Sequence, residues 1–346
     1  MVPTAKRELI HAQDEWPMAL LRTALESALA GSGPALGFGE ISSTSVPSDV
    51  ALVVTTSGST GKAKEINLSA AALISSAKAA NQYLNGKIGN SWSLLLPLTH
   101  IAGINVLLRA IQLESEVIDN RNVTEYAVAD FTAIVPTQLH RALTVDNKLL
   151  KHLQQAQAVL VGGAPLSKED NEKANAFGIN VVTTYGMSET SGGCVYNGVP
   201  LKDVLVKVEN NIIFLRGPML ADVALEDGWF RTSDFGEFEN GKLTVFGRLD
   251  DQIISGGEKI SLSAIERALN ENFKGAFIAF AKPDQEWGER LCIATTLELS
   301  QDTISHFLKN KFGGYATPKE IHKVAEIPVT AIGKPDRVKL IERLAK

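Results

Sequence analysis

The run Thr55-Thr56-Ser57-Gly58-Ser59-Thr60-Gly61-Lys62-Ala63-Lys64 gathers hydroxyls and glycines and ends in lysines, directly behind the apolar stretch Ala51-Leu52-Val53-Val54. Small residues let a backbone approach an anion closely, and their N–H and O–H groups donate to phosphate oxygens. Lysines at the end add charge, so nucleotide phosphates are the expected ligand. The run is not a Walker A loop, which needs Gly-x4-Gly-Lys-Ser/Thr. Counting back from Gly61-Lys62, the first position is Thr56, and the residue after the lysine is Ala63. The bland alternative is a flexible polar loop, which does not explain such chemistry concentrated behind a buried strand.

Further along, Thr183-Thr184-Tyr185-Gly186-Met187-Ser188-Glu189-Thr190 also comes after an expected strand. An aromatic can stack on a purine, and a carboxylate can hold a divalent cation that bridges phosphates. Taken alone, the stretch reads equally as a strand-to-helix turn capped by Ser188 or Thr190. Gly228-Trp229-Phe230-Arg231-Thr232-Ser233-Asp234 places an acid at a strand-end turn, where it either closes the turn or accepts from a ribose diol. Phe246-Gly247-Arg248-Leu249-Asp250-Asp251 stands where the composition changes; in a simple hairpin Arg248 and Asp250 would form an ion pair. Near the C-terminus, Ile327-Pro328-Val329-Thr330-Ala331-Ile332-Gly333-Lys334-Pro335 puts a lysine between Gly and Pro in a loop.

In this order the motifs resemble those of the adenylate-forming enzymes, which include acyl-CoA synthetases, luciferases and peptide-synthetase adenylation domains. The resemblance implies that Thr56, Ser57, Gly58, Ser59, Thr60, Gly61, Lys62 and Lys64 contact the β- and γ-phosphates of ATP. Tyr185, Gly186, Met187 and Ser188 would contact adenine and the AMP phosphate, and Glu189 would hold Mg²⁺. Asp234 would take the ribose and Arg248 the nucleotide. Ser233 stands where the family pattern has Gly, a mild departure. Asp250 matches the family's interdomain hinge and Lys334 its lysine of the first half-reaction. Rotation about Asp250 would then bring Gly256 and Gly257 forward to line a tunnel for CoA.

Ala133-Ile134-Val135-Pro136-Thr137-Gln138-Leu139 and the segment Leu96-Pro97-Leu98-Thr99-His100-Ile101-Ala102-Gly103, with Arg109 beyond it, are similar to segments of the menaquinone-pathway branch, the o-succinylbenzoate–CoA ligases. That likeness implies an aromatic dicarboxylate as the acid. Arg109 is then a candidate to grip its second carboxylate, and His100 to shape the acyl pocket or the pantetheine channel. Thr137, Gly162, Gly163, Ser191, Gly192 and Gly193 would wall a flat aromatic. Helix-end charge is the competing account of Arg109, and a satisfied core histidine that of His100. Other acids, a carrier protein as acceptor, and an inactive nucleotide or acyl-adenylate sensor remain open. By the same resemblance the chain is expected to be a short form that lacks most of an N-terminal subdomain before the phosphate run.

These residues need elements to hold them. At 346 residues with 45% hydrophobic and 21% charged residues, the chain fits a globular protein of at least two domains. Residues 17–30, 69–84, 104–111, 137–143 and 167–177 read as helices, and residues 52–55, 92–96, 133–135, 158–161 and 180–184 as strands, with 42–49 a polar linker. Strands alternating with helices predict an α/β fold with a mainly parallel sheet, whose ligands bind beyond the carboxyl ends of the strands. From about residue 203, short strands at 204–208, 212–216, 236–239 and 242–246 predict an antiparallel β-subdomain. A compact α+β tail comes next, with helices at 262–272 and 301–312 and strands at 276–281 and 290–297. The expected domains are 1–249, holding ATP and acid, and a mobile 250–346, carrying Lys334.

A net charge of −5, from 34 basic and 39 acidic residues, predicts no broad nucleic-acid surface. Cys194 and Cys292 are too few for a disulfide framework or metal cluster. No signal-peptide pattern and no long apolar window stand out, so a cytoplasmic protein is expected, with ATP, Mg²⁺, CoA and a small carboxylic acid as its partners. An apolar face left by the truncated subdomain would make a homodimer plausible.

Overall fold

The computed structural model describes residues 5–13, 15–57, 63–273, 275–329 and 335–344. Its first sheet has five strands. Val50–Ser57, rich in β-branched residues and buried along its first half, runs parallel to Ala35–Phe38, which runs parallel to Lys6–His11. The stretch expected as a polar linker contains a further strand, Ser45–Pro47, antiparallel to Lys6–His11. Val46 draws it inward, being 4% exposed. Three residues are too few to register as an alternating pattern. The helix Met18–Ala30 buries Leu21, Leu25 and Ala28 on one face. Gly31 ends it at φ 72°, a left-handed turn that favours glycine.

The second sheet has seven strands. Val117–Asp119, Trp92–Leu94, Phe131–Ile134, Ala158–Val161 and Val181–Met187 lie side by side in parallel, with helices packed on them. Phe131–Ile134 and Ala158–Val161 are buried along their whole length because both faces are covered. Helix Asn147–Gln155, capped by Asp146, joins those expected. At the edge the sheet turns antiparallel through Gly192–Tyr196 and Val199–Pro200. Here the expected strand-to-helix turn is corrected. Val181–Met187 continues into one 3₁₀ turn, Ser188–Thr190, and the chain reverses at Ser191 with φ 51°. Thr190 holds the reversal, its hydroxyl accepting from Met187 N–H at 2.9 Å and donating to the Gly192 carbonyl at 2.7 Å.

The β-subdomain is a four-stranded antiparallel sheet of Leu205–Glu209, Ile212–Arg216, Phe230–Glu239 and Lys242–Arg248. Behind it lies a smaller unit with its own cores. Ile253, Ile265, Leu269, Ile293 and Leu308 pack on one side of its sheet, and Phe280, Cys292 and Leu340 on the other. A hairpin not anticipated from sequence, Gln252–Ser255 with Glu258–Ser261, opens this unit, and the helix Arg337–Leu344 closes it. The two ends meet through Arg337, whose guanidinium binds Asp251, Glu266 at 2.8 Å and the Ala279 carbonyl at 3.0 Å. Burial pushes Glu266 up to about 7 against the pull of Arg337.

Among the described residues no helix is long and apolar enough to cross a membrane. Both cysteines are buried and unpaired, and burial pushes the Cys194 thiol up to about 12, which leaves it protonated.

Candidate active site

The carboxyl ends of the parallel strands converge on one edge of the large sheet. His100 stands at the N-cap of helix Ile101–Gln112, which comes after Trp92–Leu94. Thr137 is exposed in the first turn of Pro136–Thr144, after Phe131–Ile134. Gly162 and Gly163 succeed Ala158–Val161, and Ser188–Thr190 succeeds Val181–Met187. Gly162 is packed so closely that a Cβ there would strike the Thr184 hydroxyl. The sequence-predicted residues after these strands therefore share one rim, where ligands of open α/β sheets bind.

The two ends of the phosphate run lie on paired strands. Val50–Ser57 pairs antiparallel with Ala63–Ser69, so Thr56 and Lys64 face each other across strands rather than lying in a loop. Gly58, Ser59, Thr60, Gly61 and Lys62 lie outside the described residues. The second strand packs against the turn Ser188–Thr190, which brings the exposed Lys64 strand beside Glu189. Sequence reasoning misses the brace of these strands. Glu65 accepts from Ser42 N–H and Oγ at 2.5 and 2.7 Å and from Ser43 N–H and Oγ at 3.3 and 2.5 Å. Burial pushes this carboxyl up, but the hydrogen bonds from Ser43 and Ser42 outweigh it and hold the group at about 2. The available signal is the pair of serines inside the supposed linker. A group with a depressed folded pKa contributes stability above its unfolded value, about 4.3, and loses it as pH falls towards the folded value. Urea unfolding between pH 5 and pH 2 is therefore expected to show a steeper loss for the wild type than for Glu65→Gln; parallel curves would refute the brace.

The nucleotide motifs meet at a carboxylate. Phe230–Glu239 pairs with Lys242–Arg248 so that Asp234 lies opposite Arg248. The Tyr185 hydroxyl donates to Asp234 Oδ2 at 2.7 Å, and Arg248 Nη1 stands 3.7 Å from Oδ1. Arg248 thus pairs with Asp234; the Asp250 side chain, its partner in a simple hairpin, lies outside the described residues. Asp234 is 5% exposed, and its N–H donates to the Thr232 hydroxyl at 3.1 Å. Burial, then the Asp234 charge, raises Tyr185 far above the usual phenol range, so its hydroxyl remains a donor. Gly186 lies where a Cβ would collide with the Gly192 carbonyl, which lets the two strands of the hairpin close.

Glu189 is half-buried, and its side chain has no hydrogen-bond or ion-pair partner among the described residues. No trio of His, Cys, Asp or Glu there could hold a metal unaided. One such carboxylate suits Mg²⁺, which is held by one or two carboxylates together with substrate phosphates and waters.

The residues expected to wall the acid divide. One face of helix Ile101–Gln112 runs beside strand Gly192–Tyr196. Ile101 lies near Gly192, Asn105 donates to the Ser191 carbonyl at 2.9 Å, and Arg109 Nη2 donates to the Tyr196 hydroxyl at 3.1 Å. Ser191 is fully buried with its hydroxyl on the Met219 carbonyl at 2.8 Å, so it supports the turn rather than presenting a polar group. Gly193 leaves room for the Tyr196 ring. Arg109 is 4% exposed, 5.1 Å above the Trp92 ring, and no carboxylate pairs with it among the described residues. Helix-end charge alone does not account for a cation so buried. Gly256 and Gly257 form the exposed turn of the hairpin that opens the smaller unit. Lys334 and the Asp250 side chain lie outside the described part.

Fold and rim together define an α/β protein with its candidate ligand site at the strand ends, and sequence similarity identifies the family. Residues 4–211 match the AMP-binding enzyme family and residues 265–334 the AMP-binding enzyme C-terminal domain. The chain belongs to the AMP-binding enzyme family. It is 38% identical to a probable 2-succinylbenzoate–CoA ligase of Mycobacterium tuberculosis, the match covering 94% of this chain and 96% of that one. It is 30% identical to the 2-succinylbenzoate–CoA ligase of Listeria monocytogenes, covering 86% of this chain and 70% of the relative. A solved structure of E. coli MenE with bound OSB-AMS shares the fold, with a TM-score of 0.74 at 24% identity, covering 96% of this chain and 81% of that one.

Proposed function

We propose that the protein is an AMP-forming acid–thiol ligase that joins o-succinylbenzoate to CoA through an acyl-adenylate. A carboxylate is a poor acyl donor, and attack on the α-phosphate of ATP converts it into a mixed anhydride with release of pyrophosphate. A thiol then displaces AMP. The run 56–64 takes the β- and γ-phosphates, Tyr185 the adenine and Asp234 the ribose. Ser188 lies in the turn that faces the α-phosphate. Mg²⁺ held by Glu189 would neutralise phosphate charge. Lys334 bridges the attacking carboxylate and the transferring phosphate, and the unit from residue 250 turns about Asp250 to present Gly256 and Gly257 to CoA. Catalysis is then mainly positioning and electrostatic stabilisation.

The observation that carries the choice of acid is Arg109. A buried guanidinium without a carboxylate partner is costly unless an anion arrives. Arg109 stands about 13 Å from the rim along the helix at ~1.5 Å per residue, its guanidinium over the Trp92 ring and on the Tyr196 hydroxyl. Such a cation suits a second carboxylate at the far end of the acid.

Acid-dependent CoA consumption with Mg-ATP tests this reading, with o-succinylbenzoate beside benzoate, salicylate and octanoate. Thioester formation with o-succinylbenzoate alone is expected; turnover of another acid instead would overturn the substrate, and no turnover with any acid would overturn the activity. Within this reading Asp234→Ala is expected to raise the KM for ATP by roughly 10- to 100-fold, the worth of a hydrogen bond to a charged group, with the KM for the acid little changed. Equal effects on both substrates would remove Asp234 from the nucleotide.

A further inference from the structure

The surroundings of Arg109 hold more unmatched hydrogen-bond donors than the fold requires. Arg109 uses Nη2 on the Tyr196 hydroxyl, while its Nε is buried without a partner. Trp92, whose ring lies under the guanidinium, has its Nε1 likewise buried and unmatched. Tyr196 is fully buried and accepts from Arg109, so its own hydroxyl hydrogen is left to donate. Burial raises its pKa and keeps that hydrogen in place, although Arg109 pulls the other way. Tyr83 packs edge-on against the Tyr196 ring at 5.3 Å and holds it in position. The unmatched acceptor nearby, Asn81 Oδ1, belongs to an amide anchored at 2.9 Å on the Arg109 backbone carbonyl. Buried donors are almost always satisfied in native proteins. Several of them gathered about one positive charge, with no carboxylate among the described residues there, describe a receptor for an anion.

We propose that Trp92 and Tyr196 complete an anion receptor with Arg109, and that these two aromatic residues set selectivity for an acid bearing a second carboxylate. Tyr196 acts in two ways. It fixes the guanidinium by accepting from Nη2, and it offers its own hydroxyl to the incoming oxygen. Trp92 supports the guanidinium by cation–π contact and adds an indole N–H. The inference rests on the proposed function, in which the acid is a dicarboxylate.

Tyr196→Phe and Trp92→Phe keep most of the ring packing and remove one donor each. Each is assayed with ATP, with o-succinylbenzoate, and with the analogue of that acid that keeps the reacting carboxylate but lacks the other. The wild type is expected to prefer the diacid. Each variant is expected to raise the KM for the diacid by about tenfold or more, as for a hydrogen bond to a charged group, while KM for ATP, KM for the monoacid and kcat stay within about twofold. The preference for diacid over monoacid then collapses. Equal KM changes for diacid and monoacid, or for acid and ATP, in both variants would overturn the receptor. If the wild type itself fails to turn over the diacid, the substrate reading falls first, a result separate from any effect of the variants. Should Tyr196→Phe not fold, Trp92→Phe decides alone.

Discussion

Lys334→Ala is expected to slow acyl-adenylate formation by about 10²- to 10³-fold, the usual loss when one preorganised donor to developing charge is removed. Thioester formation from supplied acyl-adenylate and CoA should change only a few-fold. The asymmetry has a chemical origin. In the first half-reaction negative charge gathers on the phosphoryl group under attack and on the leaving pyrophosphate; in the second the acyl C–O bond breaks and AMP carries the charge away, after the proposed turn about Asp250 has withdrawn Lys334 from the site. The chain on either side of the lysine is firmly tied. Val329 and Pro335 form an antiparallel bridge, Asp336 N–H donates to the Pro328 carbonyl at 2.8 Å, and Arg337 anchors the start of the last helix. Single-turnover pyrophosphate release measures the first step and acyl transfer from synthetic adenylate the second. If both steps fell alike, Lys334 would have a general structural role and not the assigned one.

Arg109→Ala should raise the KM for o-succinylbenzoate by roughly 100-fold, since a buried carboxylate would lose a charge-assisted partner worth up to about 3 kcal/mol. The KM for ATP should hold, because Arg109 makes its contacts with Trp92 and Tyr196, whereas Tyr185 and Asp234 bind each other. Some stability is lost with the contacts to Trp92 and Tyr196, so the melting temperature must be read alongside. Arg109→Lys separates charge from shape. It keeps the cation but not the planar fork, and a bidentate grip predicts that it recovers only part of the affinity. A matching rise in the KM for ATP would move Arg109 out of the acid pocket.

How far the sequence reveals this molecule depends on the range of the interaction. Long elements with periodic burial, such as Met18–Ala30 and Gln301–Phe312, are legible because a helix face repeats within a few residues. The large parallel sheet is legible from its short apolar runs. Ser45–Pro47 and Ala35–Phe38 are not, because three or four residues carry no period and owe their state to neighbours across the sheet. The turn after Met187 escapes for a similar reason: its reversal depends on Thr190 and on Ser191 being held by Asn105 and Ser76 from distant helices. Motif residues can be named from sequence, whereas their partners cannot. Asp234 is visible as an acid near a turn, but its bond to Tyr185 joins residues 49 apart in sequence. The Glu65 brace and the donors around Arg109 are likewise products of tertiary packing.

The Arg337 clasp also determines where the smaller unit can be cut from the chain. Asp251 also accepts from Ser263 N–H at 2.8 Å, so one guanidinium closes a circuit that includes the first turn of the unit, its first helix and its last helix. A fragment that starts at Leu249 keeps this circuit. A fragment that starts at Gln252 keeps every apolar core residue yet leaves Arg337 and Glu266 without their third member. This contact reaches the single acidic side chain Asp251, just upstream of the point at which hydrophobic packing alone would begin the unit.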